Sequence, residues 1–251
     1  MSLTGGHPLS SLVAAALMLA ALYALGSFAM SRLYALALGS AASRAAFYAF
    51  VAPGVMLHEL AHALACVLTL TPIRGFAPFR PERRAYGSLE LGHVRHDRRS
   101  SPVEAVIGLA PVVANPAGII VVSAIFLEVG PLYVFELPAL GALEAVMGLA
   151  LDQPLAGVLW AYVAGSLALG SVPSRSDLSS LPAVLLVLVV AAFAATALGP
   201  ATTDFTTLLS GVLPVLAAAG ALATKLYALP VVVGALAAAV AWLAWRSSAP
   251  A

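Results

Sequence analysis

The chain is dominated by apolar runs about as long as a lipid bilayer is thick. They lie near 9–30, 45–70, 104–127, 155–173, 181–199, 207–224 and 227–245. Crossing the hydrocarbon core takes roughly 20 apolar residues as a helix. In lipid every backbone N–H and C=O must be satisfied internally, so runs of this length are predicted to be helices. Charge is too scarce for a soluble domain: 62% of the residues are hydrophobic and 9% charged, with a mean hydropathy of +1.01. Soluble chains are nearer one quarter charged. The fold class is therefore an all-α polytopic membrane protein with six to seven transmembrane helices. Ala, Gly and Leu fill the spans, which suits close helix packing in lipid.

Some segments need separate reading. Glu136, Glu144 and Asp152 make 132–153 a poor span, better suited to the interface or to folding back. The first run lacks a basic flank and is long enough to span, so a retained helix is expected rather than a cleaved signal peptide. The single cysteine, Cys66, allows no intramolecular disulfide and reads as a small hydrophobe. Seven of the twelve basic residues fall between Arg74 and Arg99. The positive-inside rule then places the loop 71–101 in the cytoplasm. This loop is long for a helix connection. Its stretch AYGSLELGHVRH alternates Leu89, Leu91 and Val94 with polar residues between glycines, which suggests a small membrane-associated β-hairpin or strand; the alternative is a solvated basic loop touching anionic head groups.

The second span carries HELAH at 58–62, a match to H-E-x-x-H. Residues four apart share a helix face, so His58 and His62 can reach one zinc ion. Glu59 projects beside that ion, where it can act as general base toward a water. Ionisable residues at membrane depth are costly and mark functional sites. The alternative is a polar cluster that bonds a neighbouring span.

A catalytic zinc usually takes three protein ligands. Candidates for the third are Asp177, Glu104, His93 and His96; Cys66, in series with the histidines on one straight helix, cannot complete a tetrahedron. Asp177 is preferred. Pro173 should end or kink the fourth span just before it, and a broken helix end at membrane depth must line a cavity or be buried in protein. Pro53 and Gly54, about one turn before His58, should loosen the helix, let another chain approach closely, or simply give ordinary kinked packing.

On these residues the chain resembles the site-2 protease family of intramembrane zinc metalloproteases. HELAH sits within a span. Asn115, in GLAPVVANPAG, looks like the family's Gly-Pro…Asn segment. SVPSRSDL at 171–178 looks like its proline-rich Asp-Gly motif, with Leu178 in place of the Gly. The resemblance covers a three-span core, 45–178, between an N-terminal helix and connection at 1–44 and C-terminal helices at 179–251. With no PDZ domain it implies a minimal member. It implies one Zn2+ per chain on His58, His62 and Asp177, with Glu59 as catalytic base. The substrate would be a transmembrane protein or peptide, held as a strand against part of 86–96. Asn115 is expected either to bond the substrate or developing oxyanion or to glue helices together. The expected partners are substrate and bilayer, with no nucleic acid; the oligomeric state is left open. Two other readings stand beside this one: a membrane zinc protease of the prenyl-protein-processing type with Glu104 as third ligand, and a non-enzymatic metal-binding membrane protein.

Overall fold

The helix that carries HELAH starts at a serine. The Ser40 backbone is extended, and its hydroxyl accepts the Ser43 amide at 3.2 Å, satisfying one of the free donors at a helix N-terminus. From there α2 (Ala41–Leu68) runs through Pro53 as one helix. The computed structural model describes residues 8–83, 89–128, 151–172, 174, 176–177 and 179–180, together with the scattered positions 144, 148, 214, 231–232, 234–235, 239 and 242–243. The expected spans at 181–199, 207–224 and 227–245, and most of 132–153, lie outside these residues.

Among the described residues the chain is mostly helical, with four helices. Before α2 comes α1 (Pro8–Ala37); after it come α3 (Ser101–Leu127) and α4 (Pro154–Gly170). Both α2 and α3 are long and apolar enough to cross a membrane; α4 is equally apolar but has 17 residues. Proline stands second in α3 (Pro102) and first in α4 (Pro154), in the first turn, where its missing N–H costs nothing. Within α3, Pro111 and Pro116 are accommodated in the helix.

The α2 helix packs on the other three. Ala29, Leu33 and Leu36 of α1 meet Phe47 and Val51 of α2 and Leu169 of α4. Ile119 of α3 packs with Trp160, Ala164, Leu167 and Ala168 of α4. Between those two helices the Trp160 indole donates to the Ser123 hydroxyl at 2.9 Å, a polar link of the kind that holds helices together in lipid. Gly54 is the tightest point. Its amide donates to Ser166 Oγ at 2.9 Å, and any Cβ at Gly54 would collide with the Ser166 carbonyl. The Pro53–Gly54 pair thus admits a close neighbour without breaking α2.

One face of α2 stays outside this core. Met56, Leu60, Leu64 and Val67 form a stripe at spacings of three and four; Leu60 is 53% and Leu64 57% exposed. His62, on the opposite face, is 8% exposed. The apolar stripe suits lipid, and the histidines face protein.

The connection from α2 to α3 folds into nested antiparallel pairs. Strand β1 (Ile73–Ala77) pairs with β4 (His93–His96), placing Phe76 opposite Val94 and Ala77 opposite His93. Strand β2 (Glu82–Arg83) pairs with β3 (Leu89–Glu90). Pro78 and Pro81 lie between β1 and β2, where they interrupt the ladder. Arg74 bridges Asp97 through two nitrogens at 2.8 and 2.6 Å, and Arg99 donates to the Leu70 carbonyl at 2.8 Å. The paired Arg74 guanidinium holds the Asp97 carboxyl below the usual carboxylate range. Phe79, Leu89 and Leu91 pack against the α1–α2 core, so the hairpin is docked on the bundle.

Candidate metal centre

His58 and His62 stand one turn apart on the protected face of α2, and each ring is fixed by a backbone carbonyl of a different neighbour. His58 Nδ1 lies 2.7 Å from the Gly170 oxygen at the end of α4. His62 Nδ1 lies 2.8 Å from the Ile107 oxygen in α3. A carbonyl only accepts, so each Nδ1 carries a hydrogen and each ring turns its Nε2 inward, the nitrogen a metal would take. Gly170 is available to His58 because it also lies against Gly54, where a Cβ on Gly170 would meet the Gly54 backbone at 2.6 Å.

The two Nε2 atoms are 3.0 Å apart. The Asp177 carboxylate faces both, with Oδ2 at 3.6 Å from His58 and Oδ1 at 3.4 Å from His62. The Ser174 amide donates to Asp177 Oδ2 at 2.6 Å, and the Asp177 amide donates to Ser174 Oγ at 3.2 Å. Burial alone would push the Asp177 carboxyl up, but the facing His58 and His62 rings and the Ser174 bonds outweigh it and hold the group ionised. Gly108 of α3 makes room for this turn: a Cβ there would strike the Asp177 carbonyl oxygen.

Two imidazole nitrogens and a carboxylate thus converge on one point. Ligands about 2.0–2.1 Å from a tetrahedral zinc lie roughly 3.4 Å from one another, and the separations here are 3.0, 3.4 and 3.6 Å. The donor set of two imidazoles and a carboxylate also suits zinc. Among the described residues His58, His62 and Asp177 are the group that could hold a metal ion, and the outer partners such a site needs are in place.

The centre opens into a cleft of about 630 Å³. The α2 residues Val55 and Glu59 form one wall and the hairpin from Leu89 to Val94 the other. Glu59 is half-buried beside the metal ligands. The hairpin comes so close that a Cβ on Gly92 would sit 2.8 Å from Glu59 Cγ and 2.8 Å from the Pro78 oxygen. Among the described residues strand β4 is paired on one side only, with β1.

The other sequence candidates sit apart from the ligand group. Glu104 lines the cleft, but its Oε1 accepts the Arg99 amide at 2.6 Å and lies 4.0 Å from His96. His93 and His96 also line the cleft, and Cys66 is fully buried with Ala65 and Ile107. Asn115 is fully buried in α3, away from the cleft lining, and both polar atoms of its side chain lack a hydrogen bond. Sequence reasoning missed Gly92, Gly108, Ser174 and the two orienting carbonyls. The glycines carried a weak signal as isolated glycines in a strand and a helix pattern; the carbonyls carried none, since every residue has one. Compared with protein-family models, with curated proteins and with solved structures, the chain has no match.

Proposed function

We propose that this chain is a multi-pass membrane zinc metalloprotease that hydrolyses peptide bonds in or near the bilayer. The observation that carries the reading is the meeting of His58, His62 and Asp177 beside Glu59, in a cleft backed by a helix apolar enough to cross a membrane. The resemblance of 45–178 to the site-2 protease family supports it. Six to seven spans and a cytoplasmic loop 71–101 belong to the same reading, supported by hydropathy and by the arginine-rich loop.

Zinc held by the three ligands would polarise the scissile carbonyl and make a bound water acidic near neutral pH. Glu59 takes the proton of that water as it attacks the carbonyl carbon, then delivers the proton to the departing amine. The products are a carboxylic acid and an amine. The hairpin has a second task. A helix in lipid has its carbonyls hydrogen-bonded, so the bond to be cut must first be unwound. Strand β4, which among the described residues pairs only with β1, can hold the unwound segment by strand addition at the cleft.

The test is Glu59→Gln in protein purified with zinc. The expected result is unchanged zinc content and turnover of a labelled unfolded protein such as casein lowered by about 10²–10⁴-fold, the usual contribution of a general base. Equal turnover by the variant and the parent protein would overturn the reading; so would parent protein that holds no zinc.

A further inference from the structure

A proline inside a helix has no N–H for the carbonyl four residues before it, so that carbonyl drops out of the helical ladder. At membrane depth it must be met by a donor from a neighbouring helix or a side chain. Two prolines here show where such carbonyls go. Pro53 of α2 withholds a donor from Ala49, and the Tyr162 hydroxyl of α4 donates to the Ala49 carbonyl at 2.6 Å. Pro111 of α3 withholds one from Ile107, and the donor that comes instead is Nδ1–H of His62 in α2, 2.8 Å from the Ile107 carbonyl. The first contact joins two helices. The second joins a helix to a metal ligand. Ile107 is 2% and His62 8% exposed, and Pro111 is fully buried, so this carbonyl depends on a protein donor. His58 meets the same need in another way. Its Nδ1 faces the carbonyl of Gly170, the last residue of α4, where carbonyls have no helical donor.

We propose that Pro111 is a positioning residue of the metal centre. By lacking an N–H it reserves the Ile107 carbonyl for His62. That bond keeps a hydrogen on Nδ1 and aims Nε2 at the point shared with His58 and Asp177. A histidine ligand held through its other nitrogen keeps its tautomer and ring orientation, and loss of such support costs metal affinity. The residue after Ile107 is Gly108, on which the Asp177 turn rests. One turn of α3 therefore supports two of the three ligands. A helical N–H at position 111 would compete with His62 for the Ile107 carbonyl. A carbonyl oxygen has two lone pairs, so the competition weakens the His62 bond without abolishing it. The proposal rests on the zinc centre of the reading above, and not on the hydrolysis of any particular substrate.

Full-length protein in lipid nanodiscs, its zinc titrated against a graded series of chelators, provides the test. Pro111→Ala restores the N–H. It is expected to lower zinc affinity by about tenfold, the lower end of what loss of an outer partner costs, with helix content by circular dichroism unchanged or higher. The decisive comparison is the same variant with an ester oxygen in place of the residue-111 N–H, introduced as the hydroxy acid. It shares the alanine side chain but has no donor, so zinc affinity should return to within about threefold of the parent. Pro116→Ala, further along α3, should stay in the same range. Were the proline ring acting only by shaping α3, the alanine and ester variants would lose zinc equally; that result overturns the proposal. Pro111→Ala with the parent's affinity also overturns it. Parent protein that holds no zinc sinks the metal centre and this proposal with it. Parent protein that holds zinc but leaves casein uncut sinks the hydrolase reading alone, and the chelator ranking still decides the role of Pro111.

Discussion

At the scale of single residues, the centre is a matter of which atoms have protons. His58 and His62 each turn Nδ1 to a main-chain carbonyl, so their inner nitrogens and the Asp177 oxygens face one another as ligands to a cation would. Such a site is stable around a cation, and removing a ligand should show it. Asp177→Ala is expected to weaken zinc binding by more than the roughly 10–100-fold that loss of an outer-shell partner costs. Glu104→Ala should leave zinc within about threefold, because Glu104 is engaged by the Arg99 amide and His96 instead. Zinc retained against a graded series of chelators reads both variants; the reverse ranking would transfer the third-ligand role to Glu104. The ligand types were legible in the sequence because HELAH has fixed spacing on a helix and Asp177 follows a proline-led break. Their orientation was not, since it depends on carbonyls of α3 and α4 brought in from 45 and 112 residues away.

At the scale of elements, glycines decide how near the parts can come. Gly108 lets the Asp177 turn lie on α3, and Gly92 lets the hairpin lie on Glu59. In the proposed enzyme these two contacts would separate metal binding from chemistry. Gly108→Ala should push the Asp177 turn away and lower zinc affinity by about 10–100-fold, as loss of ligand support does, while α3 itself gains about 1 kcal/mol of helix propensity. Gly92→Ala should leave zinc bound and lower turnover, since its Cβ presses on Glu59 and on the Pro78 carbonyl. Circular dichroism, zinc retention and turnover, measured together, check this division; zinc loss in Gly92→Ala alone would contradict it. The helices α2, α3 and α4 were visible as apolar runs, and the hairpin as alternating Leu89, Leu91 and Val94 between glycines. Its nested pairing was not, because Pro78 and Pro81 divide the ladder and short strands such as β2 and β3 leave almost no periodic signal.

At the scale of the whole molecule, the proposed activity needs the cleft on a defined side of the bilayer. In α2 an apolar stripe of Met56, Leu60, Leu64 and Val67 faces away from the metal group, and the helix passes directly into the arginine-rich hairpin. The hairpin joins exposed Phe76 and Leu70 with Arg74, Arg95, Arg98 and Arg99, a mixture suited to the head-group layer, where basic side chains favour anionic lipid by about 1 kcal/mol each. Under the positive-inside rule the same arginines favour the cytoplasmic side, the orientation proposed above. Cys66 is fully buried, so the parent chain should take up little of a membrane-impermeant maleimide from either side. An Arg98→Cys variant, with its thiol at the exposed mouth of the cleft, is expected to label in inside-out vesicles and to stay unlabelled in right-side-out ones. Labelling from the outer side would reverse the orientation, and with it the side on which the active cleft receives substrate.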